Sequence, residues 1–479
     1  MEQPMSLTGV GRLSAEAFSA NFAETVPGLT RKGAAEEANR CLYCYDAPCI
    51  KACPTSINIP SFIKRIATDN LRGAATAIMD ANPVGASCAR VCPTEELCEG
   101  ACVLNDESEP IRIGLLQRYA TDWAASSGKP LFKAGAPNGR KAAVIGGGPA
   151  GLSAARELAR DGFAVVVYEA KPMAGGLDTY GIVSFRLPQP VSLWEVEQVR
   201  SLGVDIRTGV KVGVDVAADE LLREYDAIVL AAGMGYVPPL GIEGEELNGV
   251  YDAIAYVEAT KKDVPPYPIA GARVAVIGAG NTAIDAATCS VRLGASNVKM
   301  LYRRTREQMT AYDFEYEFAK QEGVEFAWLT APTRIVGDAE GKATHVECVR
   351  MALGESGKDG RRVPKPVAGS TFLMPVDAVV LAIGQTRRRG LIDLMGVAHD
   401  RGVVLVDEET RQTSNPNIYA AGDVIFGNGQ GEAMVVSAAE QGKRAAHAIA
   451  RRFAEADGLE VRSGARGTDG TAGSNALAM

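Results

Sequence analysis

Two patterns of apolar positions divide the chain. Up to about residue 130 they recur at helical spacing. Residues 59–66 and 71–79 read as helices, and Phe62, Ile63 and Ile66 fall on one face of the first. From Lys141 onward, short apolar runs alternate with helical segments: Ala142-Ala143-Val144-Ile145 predicts a buried strand, 152–160 a helix and 163–168 a second strand. The grammar returns with a strand at Arg273-Val274-Ala275-Val276-Ile277, a glycine turn, a helix over 282–293 and a strand over 298–302. Such alternation predicts parallel sheets, and its repetition predicts two units of one kind. Asp226-Ala227-Ile228-Val229-Leu230-Ala231 with Gly233 matches Asp377-Ala378-Val379-Val380-Leu381-Ala382 with Gly384 in register, so each is expected to return the chain to its sheet.

Composition narrows the class. A chain of 479 residues, 47% hydrophobic and 23% charged, is that of a folded protein of about three domains. No uncharged apolar run reaches membrane-spanning length, and Met1-Glu2-Gln3-Pro4 does not read as a secretory signal, so a cytoplasmic protein away from membranes is expected. Net charge is 50 − 58 = −8 without a basic block, which offers nucleic acid no footprint.

Of ten cysteines, eight lie between Cys41 and Cys102. They read Cys41-x2-Cys44-x4-Cys49-x3-Cys53-Pro54, then Cys88-x3-Cys92-Pro93, Cys98 and Cys102. In a reducing compartment such density points to metal or redox chemistry rather than disulfides. Runs that end in Cys-Pro and share ligands fit two 4Fe–4S clusters. Zinc sites favour paired C-x2-C knuckles, often with His, and this chain has one such pair and no His near it. Cys289 and Cys348 stand alone and read as small buried apolar residues.

Gly146-Gly147-Gly148-Pro149-Ala150-Gly151 between strand and helix is a dinucleotide fingerprint. Gly146 allows the tight turn, Gly148 lets backbone approach a pyrophosphate, and Gly151 lets helix and strand pack closely. Glu169, 23 residues after Gly146, suits ribose hydroxyls. Tyr419-Ala420-Ala421-Gly422-Asp423-Val424, with a glycine loop over 427–431 before a helix, suggests that the dinucleotide is FAD, Asp423 holding ribityl hydroxyls; a helix cap is the other reading of Asp423. The second fingerprint is Gly278-Ala279-Gly280-Asn281-Thr282-Ala283. Arg303-Arg304, 25 residues after Gly278, stands where a carboxylate would select NADH. The pair suits a 2′-phosphate or is simply a solvated basic turn, so the cofactor is NAD(P)H.

Together with Cys41–Cys49, Cys53-Pro54-Thr55, Cys88-Ala89-Arg90-Val91-Cys92-Pro93-Thr94, Ile113-Gly114-Leu115-Leu116-Gln117-Arg118 and Phe185-Arg186-Leu187-Pro188, these motifs resemble the family of the glutamate synthase small subunit and the amino-terminal half of dihydropyrimidine dehydrogenase, over about residues 30–452. The wording of Asp46-Ala47-Pro48-Cys49 and of Cys88–Thr94 is most like the dihydropyrimidine dehydrogenase branch, whose bacterial members have a separate NAD(P)H-accepting subunit.

The resemblance implies one cluster on Cys41, Cys44, Cys49 and Cys102 and another on Cys53, Cys92, Cys98 and Gln117, whereas counting cysteines alone would choose Cys88 in place of Gln117. It places Arg186 between flavin and clusters, against an alternative as an inter-domain salt-bridge residue, and sets Asn281 and Thr282 on the nicotinamide dinucleotide. Gly176, Leu177, Gly233 and Gly384 complete the expected cofactor contacts.

The expected fold is α/β: a small α-helical iron–sulfur domain (1–135), a Rossmann-like FAD domain in two parts (136–255 and 373–454), an inserted Rossmann-like NAD(P) domain (256–372) and a flexible tail (455–479). A proline-rich stretch over 261–268 reads as a linker. Hydride transfer between cofactors calls for no catalytic side-chain acid or base. The expected role is electron input, from NAD(P)H through FAD and two clusters to a partner. No (β/α)8 barrel follows, so an FMN- and iron–sulfur-containing subunit in a heterotetramer or larger assembly is expected to reduce uracil or thymine to the 5,6-dihydropyrimidine. The alternatives are glutamate synthesis on the partner, a stand-alone flavoprotein reductase and a non-enzymatic redox sensor.

Overall fold

Residues 11–262, 264–357, 361–427 and 433–458 are described by a computed structural model. Apart from Gly427 and residues 455–458, the expected glycine loop and tail lie outside them.

The amino-terminal domain is helical. Helix Ile59–Ala67 starts where the Asn58 side chain accepts from Ser61 N at 3.2 Å, and helix Leu71–Ala81 where Asn70 accepts from Gly73 N at 2.9 Å. Phe62, Ile63 and Ile66 pack with Ile78 and Leu116 into one buried cluster, as their spacing requires. The segment ahead of this domain belongs elsewhere. Gly11 bridges to Ala270, and Phe18 and Phe22, one turn apart, enter the core of the second dinucleotide unit. Within the expected domain 1–135, this leading segment thus packs on the second unit and not on the helical cluster.

Two parallel five-stranded sheets follow. The first runs Ile418–Ala420, Ala227–Leu230, Lys141–Ile145, Ala164–Glu169, Asp205–Thr208. The second runs Val250–Asp252, Ala378–Leu381, Arg273–Ile277, Asn297–Leu301, Glu325–Ala327. The α/β class and the helical domain followed by Rossmann-type units are as expected. The matched runs hold equivalent places: Asp226 accepts from Lys141 N at 2.7 Å, and Asp377 accepts from Arg273 N at 2.8 Å. That pairing corrects two boundaries. Val250–Asp252 and Ala378–Leu381, allotted to the flavin domain by limits at 255 and 373, pair within the second sheet. The connectors between the sheets run side by side, Gly235 N donating to Thr386 O at 2.8 Å and Thr386 N to Tyr236 O at 2.9 Å.

An antiparallel sheet of Thr330–Gly337, Ala343–Ser356, Arg362–Pro366 and Phe372–Pro375, which the apolar pattern did not reveal, extends the second unit. Its strands are half exposed, so no continuous apolar run marks them.

The helical domain docks on the flavin unit through helix ends. The last carbonyls of Leu71–Ala81 are capped by arginine and lysine: Arg156 donates to Met79 O and Asp80 O, and Lys443 to Ala81 O at 2.6 Å.

Candidate functional site

The carboxyl ends of both parallel sheets open on one cleft of about 1850 Å³. From the first unit, Gly146, Gly148, Pro149, Ala150 and Glu169 line it, with Gly176 packed against Gly148 and Leu177 next to it; Gly151 lies behind, against the strand. From the second come Gly278, Gly280, Asn281, Thr282, Arg303 and Arg304. Gly233, Gly384, Gly422 and Asp423 stand on the wall between them.

The glycines are there for stereochemical reasons. Gly146 and Gly278 have φ of +106° and +137°, and a Cβ on either would come within 2.3 Å of Ala231 O or 2.2 Å of Ala382 O. Each turn thus presses on the strand that ends beside it, and the helices Pro149–Arg160 and Asn281–Arg292 point their N-termini into the cleft. Glu169 accepts from Gly147 N and Lys171 N, both at 2.8 Å, so it fixes the phosphate loop while keeping lone pairs for a ribose. Asn281 Oδ1 is buried without a partner, an acceptor waiting for a donor. Burial raises Asp423, and Gln441 holds the turn by accepting from Gly422 N at 2.7 Å. These features fit bound dinucleotides.

The thiols form two nests. Cys41, Cys44, Cys49 and Cys102 ring a small cavity walled by Ile59, Ile63 and Ile113. Burial first, then the neighbouring thiols, raises Cys41 and pushes Cys49 up to about 11. Cys53, Cys92 and Cys98 interact in the second nest, where burial raises Cys98. Among the described residues no three Cys, His, Asp or Glu converge closely enough to hold one metal ion. Sulfurs that ring a space suit a polynuclear cluster better than a single zinc. Gln117 is buried, its Nε2 donating to Gly85 O at 2.7 Å. Cys88 packs against Val84, Val436 and Ala439 in the apolar seam between domains.

Sequence reasoning missed several neighbours. Cys92 and Pro93 line the dinucleotide cleft itself. Arg186 lines it too, but its charge is taken by Glu315 at 2.7 Å and Asp285 at 3.4 Å, both in the second unit. It is an inter-domain ion-pair residue, the alternative reading of that position. Lys261 does not belong to a free linker: its amine donates to Leu187 O at 3.0 Å, and burial lowers it to about 8. Arg304 donates to Arg362 O at 3.3 Å and Arg306 pairs with Asp313, while Arg303 is exposed at the cleft. No separation in sequence announces these contacts across domains.

Comparison with known proteins agrees with this architecture. Residues 18–129 match the family model described as dihydropyrimidine dehydrogenase domain II, 4Fe-4S cluster, and residues 140–442 that of pyridine nucleotide-disulphide oxidoreductases. The glutamate synthase [NADPH] small chain of Escherichia coli is 36% identical over 443 residues, covering 89% of this chain and 93% of its own. The chain belongs to the pyridine nucleotide-disulphide oxidoreductase family, among the iron–sulfur flavoproteins that include the glutamate synthase small chain.

It is an iron–sulfur flavoprotein that uses NAD(P)H. The beta subunit of NADP(+)-dependent formate dehydrogenase from Moorella thermoacetica is 36% identical over 427 residues, but this chain spans only 59% of that longer protein and 84% of itself is covered. Thioredoxin reductase of T. acidophilum shares the fold, with a TM-score of 0.53 and 23% identity, covering 66% of this chain and 99% of its own. The two cysteines outside the helical domain, Cys289 and Cys348, are fully buried in separate cores, so these two do not pair with each other. Burial pushes Cys348 up to about 12 and raises Cys289. Among the described residues no helix is long and apolar enough to cross a membrane.

Proposed function

We propose that the chain is the NADPH-fed electron-input subunit of a larger reductase. The observation that carries this reading is that both dinucleotide turns and Cys92 share one cleft. In this reading the first turn, Glu169 and Asp423 hold FAD. Asn281, Thr282 and the Arg303–Arg304 pair hold NADPH, which the NADPH-dependent glutamate synthase and NADP(+)-dependent formate dehydrogenase relatives support over NADH. The thiol nests hold 4Fe–4S clusters on Cys41, Cys44, Cys49 and Cys102, and on Cys53, Cys92, Cys98 and Gln117.

Bound flavin supplies the conversion of an electron pair into single electrons. The chain's own groups do the positioning. The two glycine turns line one cleft, and Arg186 ties the flavin side to Asp285 and Glu315 of the nucleotide side.

The partner that receives the electrons has two readings. Likeness along nearly the whole length of glutamate synthase small chains supports a glutamate-forming large subunit, which we place first. The cysteine motifs around Asp46–Cys49 and Cys88–Thr94, with the domain II match, support an FMN- and iron–sulfur-containing subunit that reduces uracil or thymine. Anaerobic purification from the native host with identification of the co-purifying chain tests both. The isolated chain is expected to pass electrons from NADPH to a dye but to form neither glutamate nor dihydrouracil. Robust formation of either product without a partner would overturn the reading.

A further inference from the structure

A buried polar row that the electron path does not use lies between the cleft and the cysteine domain. Asp178, on the short helix Leu177–Tyr180, is 2% exposed, lines the cleft, and has an Oδ1 with no hydrogen-bond partner. The fully buried Ser87 hydroxyl, from the cysteine domain, interacts with Asp178 and donates to Glu195 Oε2 at 2.5 Å. Glu195, 1% exposed on helix Gln189–Arg200, also accepts from Ala86 N at 2.7 Å and Ser87 N at 3.0 Å. Carboxyl, hydroxyl and carboxyl thus run from the cleft wall into the junction of the two domains.

The charged groups that face Asp178 are Glu195, Lys261 and Asp423, and the Cys88 thiol lies close by. Two carboxyls beside one hydroxyl in a buried seam do not both ionise readily. Burial pushes Glu195 up to about 7, the hydrogen bonds from Ser87 and Ala86 and then the Arg90 guanidinium opposing it, and raises Asp178, with Glu195 adding to the rise and Lys261 opposing it.

The redox balance leaves a proton to be placed. NADPH becomes NADP+ by giving up two electrons and one proton together, as hydride. Iron–sulfur clusters take electrons alone. One proton per NADPH therefore remains at the flavin and has to leave it. We propose that the row Asp178–Ser87–Glu195 takes up this proton as the electrons pass to the clusters. The N–H bond left on the flavin would break, an O–H bond would form on Asp178, and Asp178 would hand a proton to the Ser87 oxygen as the Ser87 hydroxyl gives its own to Glu195 Oε2. Asp178, on the cleft wall, is the group that accepts it, and its buried Oδ1, which has no partner, leaves the carboxyl free to take a proton. This inference rests on the flavin reading above.

The test uses the anaerobic holoprotein as wild type and as Asp178→Asn, Asp178→Glu and Ser87→Ala. Redox-difference infrared spectra in water and deuterium oxide should show a deuterium-sensitive carboxylic C=O band that changes with flavin oxidation state and is lost in Asp178→Asn. Stopped-flow absorbance should show flavin reoxidation at least about tenfold slower than wild type in Asp178→Asn and Ser87→Ala, with an altered pH profile, and largely restored in Asp178→Glu. Normal flavin binding and reduction, with wild-type reoxidation and pH profile in Asp178→Asn or no redox-linked carboxyl band in wild type, would overturn the relay alone. Wild-type protein that takes up no flavin would overturn the functional reading and the relay together.

Discussion

Gly151→Ala probes the close approach of helix and turn in the flavin unit. A Cβ at Gly151 would sit 1.9 Å from Gly146 O and 3.1 Å from Val144 Cγ1. An ordinary carbon–oxygen contact is about 3.3 Å, so helix Pro149–Arg160 would have to retreat by more than about 1 Å. It has nowhere to go. On its other side lies helix Val435–Ala456, where a Cβ at Gly442 would itself be 2.0 Å from Ala150 O. Overpacking with both sides closed belongs at the upper end of the usual range, about 3 kcal/mol. The same retreat carries the helix N-terminus away from the pyrophosphate. Losing one charge-assisted hydrogen bond of about 1.5–3 kcal/mol weakens FAD about 10- to 100-fold. The second unit supplies the control, because Ala283 stands at the equivalent position there. Ala283→Gly should cost only about 1 kcal/mol and leave FAD content unchanged. Visible absorbance gives FAD per chain, and thermal melting the stability. Gly151→Ala with wild-type FAD content and melting temperature would refute the packing argument.

Gln117→Ala should lower iron and sulfide content and alter the EPR spectrum of one cluster, while Cys88→Ala leaves both clusters intact; the reverse pattern would move the ligand assignment to Cys88. Arg303→Ala should raise KM for NADPH about 10- to 100-fold, the loss of one charge-assisted contact, without changing KM for NADH in steady-state assays. Glu195 titrates at about 7 when folded, above the usual carboxylate value near about 4.3. The folded state therefore holds more protons than the unfolded between these limits, and this group's contribution to stability falls as pH rises through them. Wild type should thus lose more stability than Glu195→Gln between about pH 5 and pH 8 in thermal melts, and equal losses would contradict the shift.

The local elements were legible in the chain because their signals are local. Two strand–glycine–helix units, the cysteine runs and the residue-for-residue echo of Asp226–Gly233 in Asp377–Gly384 each depend on spacing within about thirty residues. Apolar continuity marks a buried parallel strand wherever it is read, and a glycine that must clear a carbonyl is visible as a glycine. Contacts between domains carry no such period. That Phe18 and Phe22 leave the cysteine domain for the second unit's core, that Ala378–Leu381 joins the second sheet, and that Arg186 spends its charge on Asp285 and Glu315 became visible only when the chain was closed on itself. The half-exposed antiparallel sheet was hidden for the opposite reason, its strands lacking the apolar continuity that identifies a core strand. Tertiary structure also decided that Cys92 borders the dinucleotide cleft and that Asp178, Ser87 and Glu195 form one row. Spacing determines which side chains a helix or turn presents; long-range packing determines which of them are taken out of water together, and it is that shared burial that sets their charges and their chemistry.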